Sequence, residues 1–348
     1  MTTTSTRDAR HLEFAMFTSL FRKCLLTCAA LLLAAGNAAA AEYSLKLQTY
    51  YPPTMTYGLK NFCDSIKEMS NGRVEIQIFT GGELVASGNI LKSVKTGMID
   101  MGQGMGHHFT EMKIGTLESG LPMSWMSALE AQIIYEHRGL REIIAKEYEK
   151  AGVVYLGPTR AAPYHLLTKK PVKSLDELRK MKIRAVGAAA KMLTKLGVSC
   201  VNLPTEDIYM ALSTGQVDGV LYGNASDYKQ TKFYEVAGYL NVTPLIDPIT
   251  DTLIINKKVW DAFPADIKAM FRVAAARACQ DYYTYCEAES SEIIGSIFKD
   301  KVTTFPEADQ KELLKAALTV WDEEAKRSPE YAAGVEILKK FAKEKGRL

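Results

Sequence analysis

Short apolar runs alternate along this chain with longer amphipathic segments. Residues 44–48 alternate between polar and apolar, and residues 74–79 and 217–222 are short, mainly apolar runs; both patterns are typical of strands. Between the first two runs, apolar side chains recur at helical spacing, at Leu59, Phe62, Cys63, Ile66 and Met69. This alternation of strand and helix patterns predicts an α/β fold.

The same patterns predict several further elements. Residues 129–150 form one charged amphipathic stretch, which indicates a helix. Residues 153–157, 166–169 and 182–186 indicate three separate strands. We find no internal repeat and no low-complexity linker, so we expect two lobes that are joined by strands crossing between them.

The segment that begins at Pro264 is the most informative about architecture. No further proline occurs before Lys299, and Gly295 is the only glycine in this stretch. A helix over these residues would be about 54 Å long at 1.5 Å per residue. Because that exceeds the width of one small domain, we expect the helix to run along both lobes. Two shorter helices, at about 307–326 and 329–343, complete the predicted fold.

The N-terminal region has the pattern of a secretory signal peptide. The basic pair Arg22-Lys23 precedes an apolar run over residues 24–35, and small residues follow it. Ala39 and Ala41 satisfy an A-x-A cleavage site, which predicts cleavage near Ala41 and export to the periplasm. An uncleaved anchor is the alternative, but the apolar run is shorter than the roughly 20 residues that a transmembrane helix needs. Met16 is a possible alternative start, because the preceding residues add nothing to this pattern.

Length and charge narrow the class of protein. The chain has 348 residues and a formal net charge of +3, and the part after residue 41 is long enough for two lobes. Lys and Arg are spread along the chain without a basic arm or patch. This distribution is not that of a nucleic-acid-binding protein.

The cysteines indicate neither a redox site nor a structural zinc site, because no C-x-x-C motif is present. Four cysteines follow the predicted signal peptide: Cys63, Cys200, Cys279 and Cys286. The last two lie about 10 Å apart along a predicted helix, beyond the usual reach of a disulfide. We therefore expect buried free thiols.

A series of short motifs gives the chain a family resemblance. They include G-G-E-L at 81–84, L-K-S-V-K-T-G-M-I-D-M at 91–101, S-L-D-E-L at 174–178 with M-K-I-R at 181–184, and P-T-E-D-I-Y-M-A-L-S-T-G-Q-V-D-G at 204–219. L-P-M at 121–123 and K-F-Y-E-V at 232–236 fit the same series. In this order and spacing they resemble the DctP-type solute receptors of TRAP (tripartite ATP-independent periplasmic) transporters, over essentially the whole mature chain.

The resemblance implies a two-lobed periplasmic-binding-protein fold, similar to type II, that closes around one ligand. We expect lobe I to comprise 42–161 plus 251–290, and lobe II to comprise 162–250 plus 291–348. The implied ligand is a small carboxylate. The implied partners are the small and large membrane subunits of a transporter that an ion gradient drives. No enzymatic activity and no cofactor are implied.

Arg184 is the first candidate for ligand binding. It ends the strand of the K-I-R motif, where the family has an arginine that meets the ligand carboxylate. A guanidinium stays charged when buried, and its planar fork matches a carboxylate. The alternative is a structural salt bridge, for example with Asp218.

Two further groups of candidates follow predicted strands. Tyr50 and Tyr51 come after the first strand, where ligands of open α/β sheets bind, although loop packing is an equal alternative. Tyr222 and Asn224 follow the strand near residue 220, where the resemblance places ligand contacts. Leu221 stands where some relatives carry a metal-binding acid, so we predict no metal, although Asp247 or Asp251 could still contribute.

Four weaker candidates complete the predicted site. His107 and His108 lie on a loop after a predicted strand and could touch ligand, but they lack the third ligand that a metal would need. Tyr164 occupies a position where some relatives carry a second binding residue, often arginine. Glu83 is a candidate by position, although a solvated acid is the simpler interpretation.

Two other functions were weighed against this one. An exported enzyme finds little support, because the chain has no G-x-S-x-G, no H-E-x-x-H and no Gly-rich phosphate loop. A receptor of an ATP-driven importer would share the two-lobed fold. The predicted long helix and the strand ending at Arg184 favour the TRAP interpretation.

Overall fold

The computed structural model describes residues 41–348, apart from the side chains of residues 160–162. The predicted signal peptide over residues 1–41 therefore lies almost entirely outside the described residues. In the described part, no helix combines the length and the apolar character that crossing a membrane requires.

The centre of the fold is one mixed sheet of nine strands. Its order is β2-β1-β3-β8-β4-β7-β5-β6, and β9 pairs with β8. The strands are β1 Tyr43–Thr49, β2 Val74–Phe79, β3 Met101–Gly104, β4 Val153–Thr168, β5 Lys182–Arg184, β6 Ser199–Val201, β7 Gly219–Leu221, β8 Tyr239–Asn256 and β9 Val302–Thr303.

Two long strands join the two ends of this sheet. β4 has 16 residues and β8 has 18, and they pair antiparallel along most of their length with several breaks in register. On one side β1 and β3 pair in parallel, and on the other side β5 pairs in parallel with β6 and β7. We call the β1–β3 side the first half and the β5–β7 side the second half. The expected lobe boundaries at 161 and 250 fall inside β4 and β8 and stay a prediction.

The described part of the chain contains thirteen α-helices. They are α1 Tyr57–Met69, α2 Ile90–Thr96, α3 Gly115–Ser119, α4 Ala128–His137, α5 Leu140–Lys150, α6 Leu175–Leu178, α7 Gly187–Lys195, α8 Ile208–Thr214, α9 Ala225–Gln230, α10 Lys257–Ala262, α11 Ala265–Ser296, α12 Glu307–Ala325 and α13 Pro329–Glu344.

The long helix predicted after Pro264 is present as α11. It has 32 residues and is about 48 Å long. Near its start, Phe271 packs edge-on against Phe62 of α1, with ring centroids 6.0 Å apart. Near its end, Ile293 belongs to the same buried cluster as Tyr228 of α9. The helix therefore contacts both halves, as the sequence predicted.

Two predicted elements differ from the structure. The single helix expected over 129–150 is two helices, because Gly139 adopts a left-handed conformation (φ 90°) and begins α5 in a new direction. The separate strands expected at 153–157 and 166–169 are parts of the continuous β4. The intervening residues have no regular alternation, since the breaks in register interrupt the pattern.

The two C-terminal helices also contact the halves: α12 contacts both of them, and α13 contacts the first. α12 packs on α7 of the second half, and the indole nitrogen of Trp321 donates to the carbonyl of Pro122 in the first half, at 2.9 Å. α13, which the sequence assigned to the second lobe, packs against α3, α4 and α5. The C-terminal helices therefore tie the halves together outside the sheet.

Candidate ligand-binding site

A cavity of about 630 Å³ lies where four strands end. β1, β3, β5 and β7 each direct a following loop or their last residue to it, as expected for a site beyond the carboxyl ends of parallel strands. Seven of the nine candidate residues line this cavity: Tyr50, Tyr51, His107, His108, Tyr164, Arg184 and Tyr222.

Arg184 is the last residue of β5 and is 7% exposed. Its Nε and Nη2 donate to the carbonyl oxygen of Leu203, at 3.0 and 2.9 Å. Its guanidinium carbon lies 5.9 Å from the ring centroid of Tyr222. These contacts fix the direction of the guanidinium at the wall of the cavity.

The structural salt bridge that was the alternative for Arg184 is not formed with Asp218. Oδ2 of Asp218 instead accepts from the backbone nitrogen of Lys182, at 2.8 Å. Among the side chains that the structure describes, no carboxylate oxygen lies within 4.0 Å of the guanidinium. Burial lowers the pKa of the Arg184 guanidinium below its ordinary value, because the charged form loses hydration.

Tyr50 and Tyr51, which directly follow β1, are part of the cavity lining. Their ring centroids are 4.0 Å apart. The hydroxyl of Tyr50 donates to Oδ1 of Asp251 at 3.1 Å, and that of Tyr51 donates to Oδ2 at 2.9 Å. Asp251 is fully buried on β8. Sequence reasoning considered Asp251 only as a metal ligand and did not find its contact with the tyrosines.

The loop that follows β2 holds this tyrosine pair in place. The backbone nitrogen of Gly81 donates to the carbonyl of Tyr51 at 2.8 Å. A Cβ at Gly81 would lie 2.7 Å from the carbonyl oxygen of Tyr50, so only glycine fits this close approach. This contact accounts physically for one glycine of the G-G-E-L motif.

His107 and His108 form a short turn after β3, beside the tyrosines. The ring centroid of His108 lies 4.6 Å from that of His107 and 5.0 Å from that of Tyr50, both in edge-on arrangements. Burial, with a smaller effect of the neighbouring His108, lowers the pKa of His107 to about 4, and burial also lowers the pKa of His108. Both imidazoles are therefore neutral near pH 7 and offer hydrogen bonds without charge.

Two candidate residues do not line the cavity. Asn224 is fully buried, and its Oδ1 accepts from the backbone nitrogen of Asp227 at 2.9 Å, while Oδ2 of Asp227 accepts from the backbone nitrogen of Asn224 at 3.1 Å. This reciprocal pair is the capping box of α9. Glu83 is exposed, and its carboxylate accepts from the backbone nitrogen of Thr80. Ligand contact by either side chain stays a prediction to which this geometry lends no support.

Several residues that line the cavity were missed by sequence reasoning. Most of them are apolar and are indistinguishable from core residues by pattern alone. They include Met55, Met105, Leu221, Ile246 and Ile249. Thr116 and Ser119 of α3 also line it. Oγ of Ser119 lies 3.4 Å from Nδ1 of His107, so α3 contributes to positioning the histidine turn.

A family model identifies the receptor family of the chain. The family described as "Bacterial extracellular solute-binding protein, family 7" (DctP) matches residues 52–328. The chain belongs to this family. The resemblance carried by the sequence motifs is thereby confirmed, and the family is one of receptors rather than of enzymes.

Solved structures of this family have the same two-lobed fold. A TRAP periplasmic solute-binding protein from Chromohalobacter salexigens, with bound (S)-(+)-2-amino-1-propanol, matches with a TM-score of 0.77 and 24% identity, over 87% of this chain and 96% of that chain. A TRAP transporter solute-binding protein from Bordetella bronchiseptica, with calcium and picolinate in its active site, matches with a TM-score of 0.77 and 22% identity, over 88% of this chain and 93% of that chain. The predicted fold class is thus confirmed.

One curated relative is named after the ligands that it binds. The monocarboxylate 2-oxoacid-binding periplasmic protein of Nostoc sp. is 22% identical over 311 residues, which are 86% of this chain and 84% of the relative. At this identity the match leaves the ligand of this chain open.

In one relative a metal accompanies the ligand, and the described side chains of this chain contain no donor set for such an ion. Calcium accompanies picolinate in the Bordetella structure. Among residues 41–348, as far as their side chains are described, no group of three His, Cys, Asp or Glu side chains could hold a metal ion. Leu221, at the position where a relative would carry the acid, presents an apolar side chain to the cavity.

Proposed function

We propose that this family 7 protein is a periplasmic receptor that binds a small carboxylate through Arg184 and delivers it to a TRAP-type secondary transporter. One observation carries the proposal. Arg184 is a buried cation at the cavity wall, without a carboxylate partner among the described side chains. Because a buried, uncompensated guanidinium is costly, a carboxylate ligand is the natural counter-ion.

The ligands of relatives support this ligand class. Structures of other TRAP solute-binding proteins contain pyruvate in Pseudoalteromonas atlantica and β-D-galacturonate in a Sulfitobacter species, and both ligands carry a carboxylate. The Chromohalobacter protein with its amino alcohol shows that the family is not restricted to acids. Arg184 is therefore the feature on which the carboxylate assignment depends.

The position of the cavity supports closure around the ligand. Tyr50, Tyr51 and the histidine turn belong to the first half, whereas Arg184 and Tyr222 belong to the second. A ligand that contacts both sides stabilises the closed form by its differential affinity for that form.

Export by cleavage near Ala41 would give a mature chain that begins at Glu42. N-terminal sequencing of the exported protein tests this expectation.

Isothermal titration of a carboxylate panel tests the ligand class. The panel contains pyruvate, phenylacetate and galacturonate, each measured with wild-type protein and with Arg184→Ala. We expect at least one acid to bind the wild type, and we expect a loss of at least 100-fold in the variant, since a charged hydrogen-bond partner is removed.

Arg277→Ala is the matched control, because Arg277 is an exposed arginine on α11 whose side chain is 70% exposed. Its affinity should equal that of the wild type. Unchanged carboxylate affinity in a folded Arg184→Ala protein would refute the proposal.

A further inference from the structure

One wall of the cavity is a continuous aromatic surface. Tyr51, Tyr50, His108 and His107 follow one another with ring centroids 4.0, 5.0 and 4.6 Å apart. All four line the cavity. This is a large aromatic area for a site that would need to hold only a three-carbon acid.

Asp251 determines which part of each tyrosine the ligand meets. Both tyrosine hydroxyls donate to its two carboxylate oxygens. Asp251 is fully buried and is not among the residues that line the cavity in the described part of the chain. The hydroxyls therefore point out of the cavity, and the tyrosines line it with ring carbons.

The direction of the Asp251 side chain follows from the strand that carries it. Its neighbours Thr250 and Thr252 both hydrogen-bond to Glu118, the first to the backbone carbonyl and the second to Oε1 at 2.5 Å. Successive side chains of a strand point to opposite faces. Because the threonines are fixed on one face by Glu118, Asp251 is directed to the other face, where the tyrosines lie.

Four apolar side chains lie in the same cavity lining, which also contains the polar residues Thr54, Thr116 and Ser119. Met55, Met105, Ile246 and Ile249 contribute apolar side chains. The cavity volume of about 630 Å³ falls in the range of sites that hold drug-sized ligands. The lining thus offers a guanidinium in the second half, beside the polar residues Asp227, Gln230 and Thr231, and in the first half two tyrosine rings with apolar neighbours and two neutral histidines.

We propose that the ligand is an aromatic monocarboxylate, whose carboxylate binds Arg184 and whose ring lies against Tyr50 and Tyr51. Asp251 is the positioning residue that selects the flat ring, because it removes both tyrosine hydroxyls from the reach of a hydroxylated ligand. A sugar acid would have to give up hydration of its hydroxyl groups against ring carbons, which is unfavourable. This inference rests on the proposed carboxylate function and narrows it.

Isothermal titration with three matched acids tests the selectivity. Phenylacetate and cyclohexylacetate share a carboxylate and a six-membered ring, but only the former is flat and aromatic; galacturonate carries hydroxyls. We expect phenylacetate to bind roughly 3–10-fold more tightly than cyclohexylacetate, which is the size of an aromatic pairing term. Galacturonate should bind more weakly than either.

Two variants test the residues. Tyr50→Leu keeps an apolar side chain and removes the ring, so the phenylacetate preference should fall to about 1–2-fold while cyclohexylacetate affinity changes little. Asp251→Asn should also reduce the preference, because a neutral amide holds the two hydroxyls less firmly than a carboxylate. Thermal unfolding of each variant verifies that it is folded.

The outcomes separate this inference from the proposed function. If Arg184→Ala abolishes binding of all acids but the wild type prefers cyclohexylacetate or galacturonate, the carboxylate function stands and the aromatic inference is wrong. If no acid binds the wild type, both are wrong. A preference that persists in both folded variants, Tyr50→Leu and Asp251→Asn, would also overturn the assignment of these residues.

Discussion

The hydroxyl of Tyr148 lies 2.6 Å from Oε2 of Glu118, and both side chains are fully buried. Oε1 of the same carboxyl accepts from Thr252. Burial raises the pKa of Glu118 to about 7, and the charge of nearby Asp251 adds to this effect, whereas the hydrogen bonds from Thr252 and Tyr148 oppose it. Glu118 thus joins the helix that carries Thr116 and Ser119 to the strand that carries Asp251.

Glu118 should make the stability of the protein depend on pH. Its folded pKa lies above the ordinary value of 4.5, so the folded state retains a proton that the unfolded state has lost. Stability should therefore fall as pH rises from about 5 to 8, through the folded pKa of about 7, and level off above that range, by about 2–3 kcal/mol from this group. Urea unfolding at several pH values, compared between wild type and Glu118→Gln, measures this contribution.

The variant isolates Glu118 because glutamine does not titrate. The free-energy difference between wild type and Glu118→Gln should shift in favour of the variant as pH rises. Glu336→Gln, at a side chain that is 73% exposed on α13, serves as the control and should show no such trend. A difference that stays constant from pH 5 to 8 would show that Glu118 does not titrate in this range.

The sequence predicted the parts of the site that depend on local pattern. Tyr50 could be found because it follows a strand, and the ends of parallel strands converge, whereas Arg184 and Tyr222 were assigned through the family resemblance of their motifs. Asp251 and Glu118 could not be found in this way. Their partners lie 200 and 30 residues away in sequence, and neither the strand that carries Asp251 nor the short helix that carries Glu118 shows any local sign of these partners.

One candidate residue carries a local signal for a structural role. Asn224 and Asp227 have the spacing of a capping box directly before a helix. This pattern gives a structural role to an amide that was assigned to the ligand. The sequence also contains the cause of the break in the helix predicted over 129–150. The chain has a glycine at position 139, and Gly139 adopts a left-handed conformation there.

Asn224→Ala should affect stability rather than ligand recognition. Removing the side chain leaves the backbone nitrogen of Asp227 without its capping acceptor, which typically costs about 1 kcal/mol. Thermal unfolding should show this loss, and Asn224→Ser, which can still cap the helix, should recover most of it. Carboxylate affinity should stay within about three-fold of wild type. A large loss of affinity with unchanged stability would instead assign Asn224 to the ligand.

Carboxylate affinity should not depend on the protonation of His107 between pH 6 and 8. With its pKa lowered to about 4, the imidazole stays neutral between pH 6 and 8 and adds no positive charge to the site as pH falls. Burial raises the pKa of both Glu118 and Asp247 to about 7. Titrations at pH 6 and pH 8 in a background with both Glu118→Gln and Asp247→Asn, which removes these two titrating carboxyls, should give the same dissociation constant within about two-fold. An affinity that rises at least five-fold at pH 6 and loses this rise in His107→Gln would contradict the prediction.

Glu324 of α12 connects the two halves beside the cavity. Its carboxylate is 4% exposed and accepts from Thr116 of the first half at 3.2 Å, from Arg327 at 3.0 Å and from Lys191 of the second half. Burial raises the pKa of Glu324, but the hydrogen bonds from Lys191 and Arg327 outweigh it, so that the pKa lies below its ordinary value. The carboxylate is therefore stabilised as an anion near pH 7.

Glu324→Gln should consequently destabilise the arrangement in which Glu324 contacts both halves, which we take as the form that binds ligand. The amide loses its charge-assisted bonds to two basic side chains, one of them largely exposed, so we expect about 1–2 kcal/mol rather than the larger cost of a fully buried pair. If the closed form alone binds tightly, apparent affinity falls with its population, and carboxylate affinity should decrease by roughly 5–30-fold. Lys195→Met, which removes a comparable pair with Glu323, is the control and should retain affinity. Small-angle scattering of the ligand-free protein should show a larger radius of gyration for Glu324→Gln than for the control. If the two variants have equal radii and equal affinities, Glu324 has no part in closure.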